Sequence, residues 1–223
     1  MQQFDHVLNM AAQHHGGRKA VLKQSENRHA MKNLATVPDD RLLATMTRCV
    51  FNAGFNWKVI EAKWPGFEAA FEGFAPGKLA FFGDEMLGRL VSDERIVRNG
   101  QKIKATLENA AFVNEVSQAH GGFGKFLASW PADDQIGLMD LLNRKGARLG
   151  GATGQYFLRF AGWDAWIASA HVCAALKREG VLDKPEAKNK GALKAVQAAI
   201  NTWHEESGLP RAQISRLLAL SIG

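Results

Sequence analysis

The chain has 223 residues, 46% of them hydrophobic, which is enough to bury a core as one large domain or two packed lobes and excludes a chain disordered throughout. Lys and Arg outnumber Asp and Glu by 28 to 22, a net charge of +6 that favours a polyanionic partner. The two cysteines, Cys49 and Cys173, lie inside apolar helical patterns, which excludes a disulfide framework and suits reduced thiols.

The N-terminal stretch MQQFDHVLNMAAQHHGG carries an early acid and no long apolar run, so it does not read as a signal peptide. No segment reaches the roughly 18 uncharged apolar residues of a membrane helix, so a cytoplasmic location and no membrane partner are expected. Phe4, Val7, Leu8 and Ala11 form one face of a first helix that stops at Gly16 and Gly17. Pro38, Asp39 and Asp40 open a longer helix carrying Leu42, Leu43, Met46, Val50 and Phe51, with acids at its positive end. Breaks follow at Gly54, Pro65-Gly66, Pro76-Gly77, Gly83, Gly100, Gly121-Gly122 and Pro131. Helical spacing covers 67–74, 84–91, 103–116, 133–145, 152–162, 164–179, 190–206 and 210–220, and 183–190 (DKPEAKNK) reads as a charged surface loop. Apolar spacing of three and four recurs throughout while alternation by two is nearly absent, so the expected fold class is all-α.

Within RLGGATGQYFLRFAGW (148–163), glycines stand directly before a helix. Gly150, Gly151 and Gly154 can adopt positive φ and bare their amides at a helix start, where an anion is met without obstruction from Cβ atoms. A plain turn or helix cap is the alternative reading.

Three blocks in order, RCVFNAGFNW (48–57), RIVRNGQKI (95–103) and the glycine hairpin at 150–157, resemble the DNA-3-methyladenine glycosylase I (Tag) family of the helix-hairpin-helix glycosylase superfamily. The likeness runs from about residue 40 to residue 163. It implies a two-lobed helix-hairpin-helix DNA glycosylase fold over 1–223, the N- and C-terminal helices packing around the 40–163 region. It also implies hydrolysis of the N-glycosidic bond of alkylated purines in double-stranded DNA by a monofunctional enzyme acting as a monomer. Such an enzyme extrudes the damaged base into an aromatic pocket.

The resemblance implies Trp57 as the stacking platform, with Phe51, Cys49, Asn52, Asn56 and Tyr156 around the base. Gly54 and Phe55 match the wedge beside the flipped base, and Arg98, Lys102 and Lys104 are candidates for phosphate contacts. The hairpin residues Leu149, Gly150, Gly151, Ala152, Thr153 and Gly154 would grip the backbone. Asp164 and His171 are the catalytic candidates, each with an ordinary structural alternative: a helix N-cap for Asp164, a buried hydrogen-bonded ring for His171. Two departures stand out. The pocket glutamate of the family corresponds to Cys49, which cannot accept a base amino group as a carboxylate does. The zinc ligands of the family are also not matched: the first 48 residues hold no Cys, and Ala175 follows His171 by four places, so no metal or other cofactor is expected. Loss of the glutamate leaves open a second reading, a protein that binds damaged or abasic DNA without excising a base. A helical protein-interaction domain without DNA contact is a third.

Overall fold

The computed structural model describes residues 2–30 and 33–223. Among them the chain forms thirteen α-helices and no strand: α1 Phe4–His14, α2 Arg18–Ser25, α3 Asp39–Asn52, α4 Trp57–Ala70, α5 Pro76–Leu79, α6 Asp84–Ser92, α7 Gly100–His120, α8 Phe123–Ser129, α9 Gln135–Lys145, α10 Gly151–Ala161, α11 Ala170–Arg178, α12 Lys190–Ser207 and α13 Arg211–Leu220. The described backbone separates into two compact units, one of residues 2–30, 131–138 and 164–223, the other of 33–130 and 139–163.

In the second unit α3 is the central element, packing against α4, α7, α8 and α10. Its apolar stripe of Leu42, Leu43, Met46, Val50 and Phe51 is buried as its spacing requires. Asp39 at its first turn accepts from the backbone N–H of Phe123 at 2.8 Å and from the Ser117 hydroxyl, tying the start of α3 to α7 and α8. The Pro65-Gly66 pair does not break the chain as its composition predicts: α4 continues through it to Ala70. Gly66 is where the loop backbone at Arg95 comes closest, since a Cβ there would lie 2.3 Å from the Arg95 carbonyl. The pair marks an approach of two backbones rather than an end. On either side of it Trp64, Phe67, Phe71 and Phe74 stack, with near-parallel rings 5.4 to 6.2 Å apart.

The first unit gathers both chain ends around α13, which touches α1, α2, α11 and α12. Trp166 and Trp203 are fully buried in it, and the rings of Phe4 and Trp203 lie 6.0 Å apart. Sequence spacing predicts a helix over 164–179, but residues 164–169 form no regular element and α11 starts only at Ala170, capped by Ser169. Side chains take over the backbone hydrogen bonds of this stretch. The Gln135 amide donates to the Trp166 carbonyl and accepts from the Trp166 N–H, both at 2.8 Å, and the Ser215 hydroxyl accepts from the Ile167 N–H at 3.0 Å. Distant polar partners outweigh a local pattern that is apolar enough for a helix.

Candidate functional site

The site is built in the second unit from two turns. The first joins α3 to α4. Gly54 takes a φ of +74°, the Phe55 N–H donates to the Asn52 carbonyl at 3.1 Å, and Asn56 caps α4 by accepting from the Lys58 N–H at 3.0 Å. Lys102, from α7, is only 3% exposed. Its ammonium donates to the carbonyls of Phe51 at 3.0 Å and Ala53 at 2.6 Å and lies 4.3 Å from the centre of the Phe55 ring. The lysine therefore serves the carbonyl end of α3, where a cation is favoured. Burial, and then the charge of Arg148, hold its pKa below the usual lysine value. Phe55 and Trp57 are left 39% and 48% exposed, large apolar side chains presented to solvent on either side of Asn56.

The second turn leads into α10. Asn109 is fully buried and clamps it from α7, donating to the Ala147 carbonyl at 3.0 Å and accepting from the Ala147 N–H at 2.7 Å. Arg148 then adopts a φ of +59°, and Leu149 is buried. A Cβ on Gly154 would lie 2.4 Å from the Leu149 carbonyl, so the first turn of α10 sits directly on the hairpin because residue 154 has no side chain. No side chain caps the N-terminus of α10. Its first amides and the positive end of its dipole are therefore available to an anion.

Between these turns lies a cavity of about 200 Å³. Cys49, Asn52, Ala53, Gly54 and Trp57 form one wall, and Ala152, Thr153, Tyr156 and Phe160 the other. The rings of Trp57 and Tyr156 meet edge to face at 5.8 Å, those of Trp57 and Phe160 at 6.0 Å, and those of Tyr156 and Phe160 are tilted at 5.7 Å. No ionised side chain lines the space among the described residues. Burial pushes the Cys49 thiol up to about 12, so it is neutral and inert at ordinary pH. Such a box suits a flat, delocalised cation or an apolar heteroaromatic ring.

Of the residues expected around a base, Trp57, Cys49, Asn52 and Tyr156 come together here, and Gly54, Ala152 and Thr153 join them. Phe51 does not. It packs edge-on against Phe67 at 4.7 Å in the core, because it occupies the inward stripe of α3. Asn56 is spent on its cap, and Leu149 is an internal anchor rather than a surface contact. Lys102 faces inward, while Arg98 and Lys104 are exposed and pair with Glu94 and Glu108. Phe160, which the sequence motifs do not single out, completes the box; its spacing of four from Tyr156 places both rings on one face of α10.

Asp164 and His171 belong to the other unit. Asp164 is a cap, but of α13 rather than of the helix that follows it in sequence. Its oxygens accept from the N–H groups of Arg211 at 2.9 Å and Ala212 at 2.8 Å. His171 is exposed near the start of α11 rather than buried. Cys49 and Cys173 are both free and buried, and no group of three or more His, Cys, Asp or Glu that could hold a metal ion is found among the described residues.

The methyladenine glycosylase family model matches residues 33–140. Three solved structures carry the same fold. One of 3-methyladenine DNA glycosylase I (TAG) is 20% identical with a TM-score of 0.51, covering 65% of this chain and 87% of that one. A variant of TAG in complex with 3-methyladenine is 24% identical with a TM-score of 0.53, covering 70% and 91%. TAG from Staphylococcus aureus, in a structure concerned with recognition of 3-methyladenine, is 24% identical with a TM-score of 0.52, covering 70% and 92%. The methyladenine glycosylase match contains the Cys49 to Trp57 wall of the cavity, while the Ala152 to Phe160 wall lies beyond it in sequence. The cavity thus joins a wall within the family match to one supplied by the glycine hairpin.

Proposed function

We propose that the chain is a monofunctional DNA glycosylase that flips 3-methyladenine or a similar alkylated purine out of duplex DNA and hydrolyses its N-glycosidic bond. The single observation that carries this reading is the cavity of three aromatic rings lying between a turn with an exposed Phe55 and the uncapped start of α10. Each part has a role in base flipping. The amides of Gly151, Ala152 and Thr153 meet a backbone phosphate, Phe55 occupies the gap left in the stack, and the extruded base lies against Trp57. A purine alkylated at N3 carries delocalised positive charge, which the ring faces stabilise. It is also a good leaving group, so water can attack C1′ through an oxocarbenium-like state without strong acid catalysis. No lysine lines the cavity among the described residues, in keeping with hydrolysis rather than Schiff-base chemistry. The partner is double-stranded DNA, the acting form a monomer and the place of action the cytoplasm.

Incubation of the purified chain with methylated duplex DNA tests this reading. Release of free 3-methyladenine is expected. Tight binding to abasic duplex without any release would replace the enzyme by a damage-binding protein, and absence of salt-dependent DNA affinity would remove both readings.

A further inference from the structure

Six buried side-chain polar atoms lack a hydrogen-bond partner among the described residues, and of the residues that own them only Asn52 lines the aromatic cavity. Asn52 is 7% exposed, and its Oδ1 is the orphan. A buried amide oxygen with no partner is costly to leave empty and is satisfied at no further cost by a ligand that brings a donor. Its backbone is held on both sides. Asn52 ends α3, its own carbonyl accepts from the Phe55 N–H at 3.1 Å, and the carbonyl before it is held by Lys102 at 3.0 Å. Cys49, one helical turn earlier, offers only a neutral thiol, a weak hydrogen-bonding group.

We propose that Asn52 reads the edge of the purine in this cavity, its carboxamide oxygen accepting from the exocyclic 6-amino group and its NH₂ donating to the adjacent ring nitrogen. This deepens the glycosylase reading and rests on it. A carboxamide carries an acceptor and a donor side by side, the pattern complementary to the amino and N7 edge of an adenine, whereas a neutral thiol carries neither strongly. Asn52 is thereby the specificity-determining group, and the rings supply binding without choosing among purines.

The test is calorimetric binding of free 3-methyladenine and of 3-methylpurine, which lacks the 6-amino group, to the full chain and to Asn52→Ala. The unmodified chain is expected to prefer 3-methyladenine by about tenfold or more, and the variant to bind both bases with similar weak affinity. A merely structural role for Asn52 weakens both bases equally and preserves the preference, which overturns the proposal while leaving the glycosylase reading intact. Equal binding of the two bases by the unmodified chain does the same. If the unmodified chain binds neither base and releases none from DNA, the glycosylase reading falls and takes this proposal with it. Should Asn52→Ala not fold, Asn52→Ser carries the same comparison.

Discussion

Lys102 donates a 2.6 Å hydrogen bond to the carbonyl of Ala53, so a lysine 49 residues further along the chain holds the α3 to α4 turn in place. Replacing it by Met keeps much of the volume but strips the carbonyls of Phe51 and Ala53 of their buried donor. Lys102→Met is expected to cost about 2 to 3 kcal/mol, seen as a lower urea midpoint. It should also lower excision by more than the loss of folded protein explains, because Phe55 and Trp57 flank the released turn. A variant with full stability and unchanged excision would show that the buried ammonium positions nothing.

Trp57 is 48% exposed and touches two rings, so its removal separates function from folding. Trp57→Ala is expected to lose about 1 kcal/mol of stability or less. Its kcat/KM on methylated duplex should fall about tenfold or more, the worth of one base stacked on an aromatic side chain. Thermal melting and single-turnover excision, read on the same preparation, give both numbers.

At Gly154 a methyl group has nowhere to go, because it would stand 2.4 Å from the Leu149 carbonyl. Gly154→Ala is expected to cost about 1 to 3 kcal/mol through displacement of α10 from its hairpin. Gly180 makes the control: its φ is +72° and no atom lies within 4 Å of where a Cβ would stand, so alanine there meets strain without a clash. A larger destabilisation at residue 180 than at 154 would refute the packing argument.

Cys49 gives a pH prediction whose sign follows from burial. Its pKa rises from an ordinary 9.0 to about 12 on folding. Below the lower value both states are neutral and the thiol adds no pH dependence. Between the two values the unfolded chain ionises and the folded one does not, so stability falls as pH rises through that window. Cys49→Ser should lessen this alkaline loss in urea titrations, compared at neutral pH and inside the window. A thiol reagent at mildly alkaline pH should label neither Cys49 nor Cys173 quickly in the folded chain and both once it is denatured.

Asp164 caps α13 through two backbone N–H groups. Asp164→Ala is expected to lower stability by about 1 to 2 kcal/mol, and Asp164→Asn much less, because an amide oxygen also caps well. Loss of excision in a stably folded Asp164→Asn would instead return the carboxylate to the chemistry.

Much of the fold and site is legible in the chain, but unevenly. Trp57, Tyr156, Cys49 and Asn52 can be placed near one another because the two motifs that carry them, at 48–57 and 150–157, resemble blocks of one glycosylase family. Phe51 cannot be separated from them by sequence, since its inward direction depends on Phe67, sixteen residues further on. Lys102 reads as a surface cation until α3 supplies carbonyls for it. The non-helical stretch at 164–169 reads as helix because Gln135 and Ser215, the side chains that replace its backbone partners, stand far away in sequence. In each case the deciding partner is remote, and local patterns carry no trace of it.

The unit that gathers both chain ends also has a temporal side. The helices α1 and α2 are synthesised well before their partners, since Phe4 finds Trp203, and Leu22 and Ser25 find Gln213, only after α12 and α13 have been made. The opening helices must wait unpartnered through translation while the segment bearing the aromatic cavity already has its own core. Limited proteolysis of arrested nascent chains should therefore cut the first thirty residues while sparing α3 and α7, and protection of the N-terminus should arrive only with α12 and α13.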